Sequence, residues 1–162
     1  MNGAAHFILY VADQPRSAGF YAAVLADSPR LNVPGMTQFT LPGGAILGLM
    51  PEAAIERLLG PALPSPSAGR GVPRAEIYLV VAQAATYHAR ALAAGARELS
   101  PLSLRSWGHM AAYSLDPDGH VLAFATDGAP SAAPADVAPS RARANPPRPD
   151  EKRTLPKLRR RL

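Results

Sequence analysis

Two stretches of the chain repeat one order of apolar and polar segments. Each begins with an apolar run of strand length, at residues 6–11 and 76–81, and continues into an Ala-rich segment with apolar residues at helical spacing. Each then ends with an aromatic-led strand, a glycine-containing turn and a second apolar strand. The pattern predicts two copies of a β-α-β-β-β unit, whose equivalent positions should face each other across one shared cleft.

Short-range signals place the helices and the remaining strands. Asp13 followed by Pro15 predicts a helix start, because Asp caps the first turn and a proline there loses no hydrogen bond; this helix should end near Leu25. Gly95 suits the left-handed end of the second helix. We predict further helices at 52–59 and 84–94, and further strands at 28–31, 36–41, 45–50, 98–104, 110–115 and 120–126.

Composition divides the chain into a folded part and a tail. Residues 1–127 are predicted to form one domain, with module one at about 5–50, a proline-rich linker at 51–74 that lets the modules rotate, and module two at about 75–127. Residues 128–162 are rich in Pro, Ala and Arg and lack aromatics, so we predict a disordered tail.

Charge follows the same division. Residues 1–127 hold eight arginines and nine carboxylates, whereas residues 128–162 hold nine basic and three acidic residues, so the net charge of +5 comes from the tail. The run Arg159–Arg161 lacks interleaved aromatics, so we expect at most weak attraction to nucleic acid. A tail that is itself the functional, partner-binding part is a third possibility.

The absence of cysteine excludes disulfides, thiol catalysis and cysteinyl metal sites. It fits a reducing compartment. The first apolar run ends at Asp13, too soon for a signal peptide or a membrane span. We therefore expect a cytoplasmic protein without membrane attachment.

Two short motifs carry a resemblance to a known family. They are HFILYVAD from His6 with RSAGFY from Arg16, and the turn DPDGH from Asp116. With the repeat, they resemble the vicinal oxygen chelate superfamily, which includes glyoxalase I, extradiol dioxygenases, fosfomycin-resistance enzymes and bleomycin-binding proteins. The resemblance covers about residues 6–126, and Trp107-Gly108 is similar to the bleomycin-resistance branch. It implies an α+β fold, in which two tandem βαβββ modules form an eight-stranded cup with helices outside.

The same resemblance implies where a metal would sit. In the metalloenzymes of that superfamily four inward side chains hold a divalent ion, and the motif maps them onto His6, Gly48, Glu76 and Ala123. Glycine and alanine cannot ligate, and the two remaining ligands are fewer than the three that a catalytic site needs. We therefore predict a cup without metal or other cofactor.

Strand alternation predicts which side chains line the cup. If the imidazole of His6 points inward, the residues two and four positions later do so too, and the repeat gives the same phase from Glu76. We predict an inward set of His6, Ile8, Tyr10, Glu76, Tyr78 and Val80, and contact of Phe7, Leu9 and Val11 with the helix.

Aromatic and polar residues of the predicted cup are the candidate ligand-binding residues. Flat aromatic walls suit drug-like or heteroaromatic molecules, Gly108 lets the backbone pass close to a ligand, and an arginine at the mouth would hold an anionic group. The candidates are Tyr10, Tyr78, Trp107, His109 and Arg105. Core packing for the aromatics and solvent exposure for His109 and Arg105 stay open as alternatives. His88 is expected to face water, and His120 to be a surface turn residue.

Two functional hypotheses follow. The first is a metal-free small-molecule-binding protein of the bleomycin-resistance type, which sequesters a drug or metabolite and, from the family resemblance, forms a homodimer. The second is a lyase or isomerase of the glyoxalase kind, in which His6 and Glu76 support a metal or act as acid and base.

Overall fold

The computed structural model describes residues 4–73 and 75–127. All of them belong to the first of the two units, Met1–Ser131 and Ala132–Leu162, into which the chain divides. The predicted disordered tail at 128–162 lies outside the described residues, and the boundaries of the predicted domain stay a prediction.

The described chain forms two consecutive βαβββ modules, so the α+β fold with tandem modules is confirmed. Module one contains β1 (His6–Val11), α1 (Gln14–Leu25), β2 (Leu31–Val33), β3 (Met36–Thr40) and β4 (Ile46–Pro51). Module two contains β5 (Glu76–Val80), α3 (Ala84–Ala93), β6 (Arg97–Leu104), β7 (His109–Leu115) and β8 (Val121–Asp127). Between them lie α2 (Glu52–Leu59) and two 3₁₀ turns, Gly60–Ala62 and Pro66–Gly69.

Each module has one four-stranded sheet with the same topology. The orders are β1-β4-β3-β2 and β5-β8-β7-β6. The first strand of each module runs parallel to the fourth, and the other neighbours are antiparallel. The first strands β1 and β5 therefore lie at sheet edges, and a cavity of about 580 Å³ is lined by both of them.

The helices cover one face of each sheet. Asp13 caps α1 by accepting a 3.0 Å hydrogen bond from the amide of Arg16, as its spacing from Pro15 predicts. Helix α1 packs on β3 and β4, α3 packs on β6, β7 and β8, and the two helices contact each other. The largest fully buried side chains in this layer are Tyr21, Phe39, Leu47, Leu49, Leu122 and Phe124. We call the opposite side of each sheet its inner face.

Two details of module one differ from the prediction. The side chain of Phe7 is 58% exposed, so its predicted contact with the helix layer is wrong. Helix α1 lies over β3 and β4, and the start of the edge strand β1 is left uncovered beside the cavity shared with β5. Strand β2 begins at Leu31 rather than at residue 28, because pairing with β3 starts with Leu31 opposite Gln38.

The hairpin between β7 and β8 joins the two modules. Asp118, whose side chain is only 5% exposed, accepts hydrogen bonds from the amide of Ala12, the guanidinium of Arg16 and the hydroxyl of Ser17. These three donors stand at the end of β1 and in the first turn of α1. The Asp-Pro-Asp-Gly turn thus anchors module two to the helix start of module one.

In the part of the chain that the structure describes, no helix is both long enough and apolar enough to cross a membrane.

Candidate functional site

The inner face of module two brings several candidate residues together. Register places Tyr78 of β5 opposite Ala123 of β8, and Tyr113 of β7 opposite the same alanine. His109 lies four residues before Tyr113 on β7, so strand alternation puts it on the same face. Ala123 is fully buried between two tyrosine strand positions. This face is therefore aromatic where the resemblance implied a metal-binding carboxylate.

Tyr78 is the centre of a hydrogen-bonded cluster. Its hydroxyl oxygen lies 2.8 Å from Nδ1 of His109 and accepts a 3.1 Å hydrogen bond from the indole N–H of Trp107. The rings of Tyr78 and His109 are tilted by 33°, with centroids 5.8 Å apart. Three of the five candidate ligand-binding residues are thus in direct contact. Trp107 is 57% exposed, so the cluster is open to a ligand.

Arg105 belongs to the same face but makes contacts within the protein. Its guanidinium carbon lies 4.9 Å from the ring centroid of Tyr113, a cation–π geometry. Its Nε and one terminal nitrogen donate to the carbonyl of Ala111, and that terminal nitrogen also donates to the hydroxyl of Ser100. These bonds hold the positive charge over the Tyr113 ring. Capture of an anionic ligand by Arg105 stays a prediction.

Several charged and polar groups of this face lie close enough to Tyr113 to change its pKa. Burial, followed by the nearby groups Glu76 and Tyr78, raises the pKa of the Tyr113 phenol, while the positive charge of Arg105 acts in the opposite direction. Glu76, Tyr78 and Arg105 therefore all act on one phenol.

On module one the position equivalent to Ala123 is Gly48, and it is covered by a neighbour. A Cβ atom at Gly48 would lie 2.3 Å from Cδ1 of Ile8 and 3.2 Å from the sulfur of Met36. Ile8 is the residue opposite Gly48 on β1. The side chains of Ile8 and Met36 thus occupy the space that a carboxylate side chain would need.

His6 and Glu76 line the same cavity between the edge strands β1 and β5. Both residues are exposed, and no hydrogen bond or ion pair joins these two described residues. The structure brings them to one cleft without forming the predicted pair.

Tyr10 lies apart from the other aromatic candidates. It lines a second cavity, of about 510 Å³, between β1, the segment 63–73 and the hairpin residues 118–120. Arg70 forms an ion pair with Glu52 beside this cavity. Tyr10 therefore does not join the cluster around Tyr78.

Two histidines are placed differently from their predictions. His88 is 7% exposed rather than facing water: its Nε2 lies 3.1 Å from a carboxylate oxygen of Glu98, and its ring packs near Phe124. His120 is half-buried rather than on the surface, because its Nδ1 pairs at 2.9 Å with the buried carboxylate of Asp116.

The pair of Asp116 and His120 has perturbed acidities. Burial acts to raise the pKa of Asp116, but its hydrogen bonds with His120, the charge of that residue and the bond from Tyr21 outweigh burial, and the pKa is lowered. For His120, burial acts to lower the pKa, but the bond and charge of Asp116 prevail and raise it. The two groups therefore favour their charged forms.

Asp127 is a member of the site that the sequence reasoning missed. Register places it opposite His109, and its carboxylate lies 3.6 Å from Nε2 of that histidine. The signal was its place directly after the predicted last strand at 120–126 and directly before the change in composition.

The donors on the inner faces do not fit the four-ligand metal pattern of the related metalloenzymes. Two of the four positions are Gly48 and Ala123, which carry no donor, and the space beside Gly48 is filled by Ile8 and Met36. Among residues 4–73 and 75–127, no group of three or more His, Cys, Asp or Glu side chains is placed to hold an ion.

The chain belongs to the glyoxalase/bleomycin resistance protein/dioxygenase superfamily, whose family model matches residues 3–124. The predicted family resemblance is thereby confirmed. No functionally curated protein matches the chain significantly.

Solved structures show the same fold. A glyoxalase-related enzyme from Fulvimarina pelagi is 23% identical, with 78% of this chain and 89% of that chain covered and a TM-score of 0.63. A protein from Agrobacterium tumefaciens is 27% identical, with coverage of 79% and 98% and a TM-score of 0.60. TioX from Micromonospora sp. ML1 is 20% identical, with coverage of 78% and 99% and a TM-score of 0.56.

Proposed function

We propose that this protein binds a small planar molecule on the inner face of module two without a bound metal, and sequesters it as bleomycin-resistance-type proteins do. The main support for the proposal is that the two positions at which the metalloenzymes carry a carboxylate, Gly48 and Ala123, have no donor atom and are packed against apolar or aromatic side chains. Ile8 and Met36 fill the space beside Gly48, and tyrosines flank Ala123 on both neighbouring strands. Both positions that the metalloenzymes use for carboxylates now support an apolar or aromatic wall.

The polar groups beside the aromatic side chains would orient the ligand. The imidazole of His109 and the indole N–H of Trp107 both lie within hydrogen-bond distance of the Tyr78 hydroxyl. A pocket with large aromatic surfaces and few polar groups binds planar ligands by burial and orients them by hydrogen bonds. We propose that the ligand is a drug or metabolite of that shape, including an antibiotic. We also propose that the protein is cytoplasmic.

We also propose that the protein is a homodimer. Several large apolar side chains on or beside the inner faces are exposed: Ile8 (37%), Leu31 (37%), Val33 (45%), Val80 (51%) and Trp107 (57%). A second copy would bury them and close the site. Val80→Glu should shift the dimer toward monomer in analytical ultracentrifugation, whereas Leu58→Glu, a change on α2 away from the inner faces, should not.

Binding can be followed through Trp107, the single tryptophan of the chain. A panel of planar aromatic metabolites and antibiotics is added to the full chain, and Trp107 fluorescence and the melting temperature are recorded together. A ligand present at about 100 times its Kd stabilises the protein by about 2.7 kcal/mol. Tyr78→Phe should weaken any binding, and Tyr10→Phe is the matched control. The proposal fails if no compound changes either signal and the protein is a monomer.

The lyase or isomerase hypothesis based on His6 and Glu76 is less well supported. Both side chains are exposed, and they do not contact each other as an acid–base pair would. Metal analysis of the purified protein separates the two functions. A stoichiometric divalent ion that is lost in His6→Ala would overturn the metal-free proposal.

A further inference from the structure

We propose that Tyr78 is an acid–base residue toward the bound molecule, and that His109 and Asp127 position the proton that Tyr78 gives and takes. This inference rests on the proposed function, because it needs a ligand on the inner face beside Tyr78. It goes beyond sequestration by assigning proton-transfer chemistry to a hydrogen-bonded cluster of which His6, although it lines the same cavity as Tyr78, is not a member.

The direction of each hydrogen bond follows from the donor inventory. An indole N–H can only donate, so the Tyr78 oxygen accepts from Trp107. The 2.8 Å contact with Nδ1 of His109 therefore uses the phenol O–H as donor when Nδ1 carries no proton. The carboxylate of Asp127 is 88% exposed and lies 3.6 Å from Nε2, beyond hydrogen-bond distance, but its charge favours a proton on that nitrogen.

The backbone fixes this arrangement. His109 and Asp127 are opposite each other in the ladder of β7 and β8, and Tyr78 is opposite Ala123 in the ladder of β8 and β5. The relay therefore spans three neighbouring strands of one sheet. On this face of β8, Ala123 lies at the level of Tyr78 and Ala125 lies between the levels of Tyr78 and His109, and their small side chains leave room for the contact between phenol and imidazole.

The order of carboxylate, imidazole and hydroxyl is the order of groups that activates a hydroxyl in hydrolases. When the phenol proton moves to Nδ1, the resulting imidazolium lies beside the Asp127 carboxylate. The phenolate oxygen keeps the hydrogen bond from Trp107, which stabilises its negative charge. The cluster thus places a proton acceptor, a carboxylate and a hydrogen-bond donor around the Tyr78 oxygen.

The chemistry available to such a phenolate is a proton transfer. A ligand with a phenolic or enolic hydroxyl gives its proton to the Tyr78 oxygen, the O–H bond of the ligand breaks, and its electron pair stays on the ligand oxygen. Return of the proton from Tyr78 to a different atom of the ligand completes a tautomerisation. No electrons are exchanged, so neither an oxidant nor a reductant is required.

The reactivity of the Tyr78 phenol can be measured without knowing the ligand, by acetylating the full chain with N-acetylimidazole. The phenolate oxygen forms a bond to the acetyl carbon, the bond from that carbon to the imidazole nitrogen of the reagent breaks, and the leaving imidazole takes up the proton that the phenol gave to His109. Peptide mass spectrometry gives the rate at each tyrosine. Tyr10, Tyr87 and Tyr113 are comparators in the same sample, since each is partly exposed like Tyr78.

We expect Tyr78 to be acetylated at least about ten times faster than the fastest comparator. His109→Gln keeps a polar side chain but removes the imidazole base, so it should lower the acetylation rate of Tyr78 to that of the comparators. Asp127→Asn should slow Tyr78 by about two- to five-fold, as for loss of one exposed charge. Asp27→Asn, an exposed acid outside the cluster, should change nothing, and the rate at Tyr10 should be the same in all variants.

Equal rates at Tyr78 and the comparators would overturn the proposal, and so would a fast rate at Tyr78 that survives His109→Gln. Circular dichroism of each variant establishes that a lost rate is not lost folding. Acetylation needs no ligand, so failure of the ligand panel and failure of this proposal are separate results.

Discussion

The hydroxyl of Tyr21 in α1 donates a 2.8 Å hydrogen bond to a carboxylate oxygen of Asp116 in the hairpin between β7 and β8. Burial, followed by the charge and hydrogen bond of Asp116, raises the pKa of Tyr21 well above its ordinary value, so the phenol stays a donor. Together with Asp118 this bond ties module two to the first helix of module one. We call the contacts of Asp116 and Asp118 with module one the polar joint. The corresponding hairpin of module one, Pro42-Gly43-Gly44, carries no polar side chain, so only the hairpin of module two contributes to this joint.

Removing Asp118 should therefore loosen the joint. Asp118→Ala leaves the amide of Ala12 and the hydroxyl of Ser17 without their acceptor, and we expect a loss of about 2–3 kcal/mol in the free energy of unfolding. Urea unfolding at neutral pH measures it. Asp27→Ala, which removes an exposed carboxylate, should change stability by less than about 0.5 kcal/mol. Equal effects of the two substitutions would contradict the anchoring role of the turn.

The stability of the joint should depend on pH through Asp116 and His120. The raised pKa of His120 gives a stabilisation that is fully present below its ordinary value of 6.5 and is lost as the pH rises through the raised value. The lowered pKa of Asp116 gives a stabilisation that is present above its ordinary value of 3.8 and is lost as the pH falls through the lowered value. Both contributions are complete between about pH 4 and pH 6.5.

His120→Gln tests this dependence, because glutamine keeps a donor toward Asp116 without a titrating group. The wild-type chain should lose more stability than the variant as the pH rises above 6.5, measured by urea unfolding at a series of pH values. Parallel curves for the two proteins above pH 6.5 would show that His120 does not carry the linkage.

Because Ile8 packs beside Gly48, the effect of Gly48→Ala on stability should depend on the side chain at position 8. In Gly48→Ala the new Cβ would lie 2.3 Å from Cδ1 of Ile8, so we expect a destabilisation of about 1–2 kcal/mol. Ile8→Val removes that Cδ1 atom, and in its background the same alanine should be nearly neutral. A double-mutant cycle in urea gives the coupling. Additive effects would mean that Ile8 does not fill the space beside Gly48.

The fold could be predicted from sequence because its determinants are local. Asp13 and Pro15 start the helix through contacts within one turn, and the alternation of apolar residues fixes the two faces of each strand. Alternation also put Tyr78 on the inner face. It specifies a face, however, and not what covers that face, which is why the exposure of Phe7 was missed: α1 lies over β3 and β4 and not over the start of β1.

The candidate site could be predicted only in part, because its bonds join residues far apart in the chain. Tyr78 meets His109 across 31 positions. His88 is buried on the face of α3 that packs near Phe124, and its ring contacts Glu98 of the next strand. Asp127 has no motif of its own and joins the cluster through the register of β7 and β8. A single sequence contains no direct signal for such pairings.

Two fully buried serines predict opposite effects of the same substitution. The hydroxyl of Ser17 donates to Asp118 at 2.5 Å, whereas the hydroxyl of Ser114 is one of two buried side-chain polar atoms without a hydrogen-bond partner in the described part of the chain. Ser17→Ala should cost about 1–3 kcal/mol, because it leaves a buried carboxylate with one donor fewer. Ser114→Ala removes a hydroxyl whose desolvation nothing offsets, so it should be neutral or stabilise by up to about 1 kcal/mol. Urea unfolding of both variants decides the matter, and a clear loss in Ser114→Ala would reveal a bonded partner for that hydroxyl, such as a buried water.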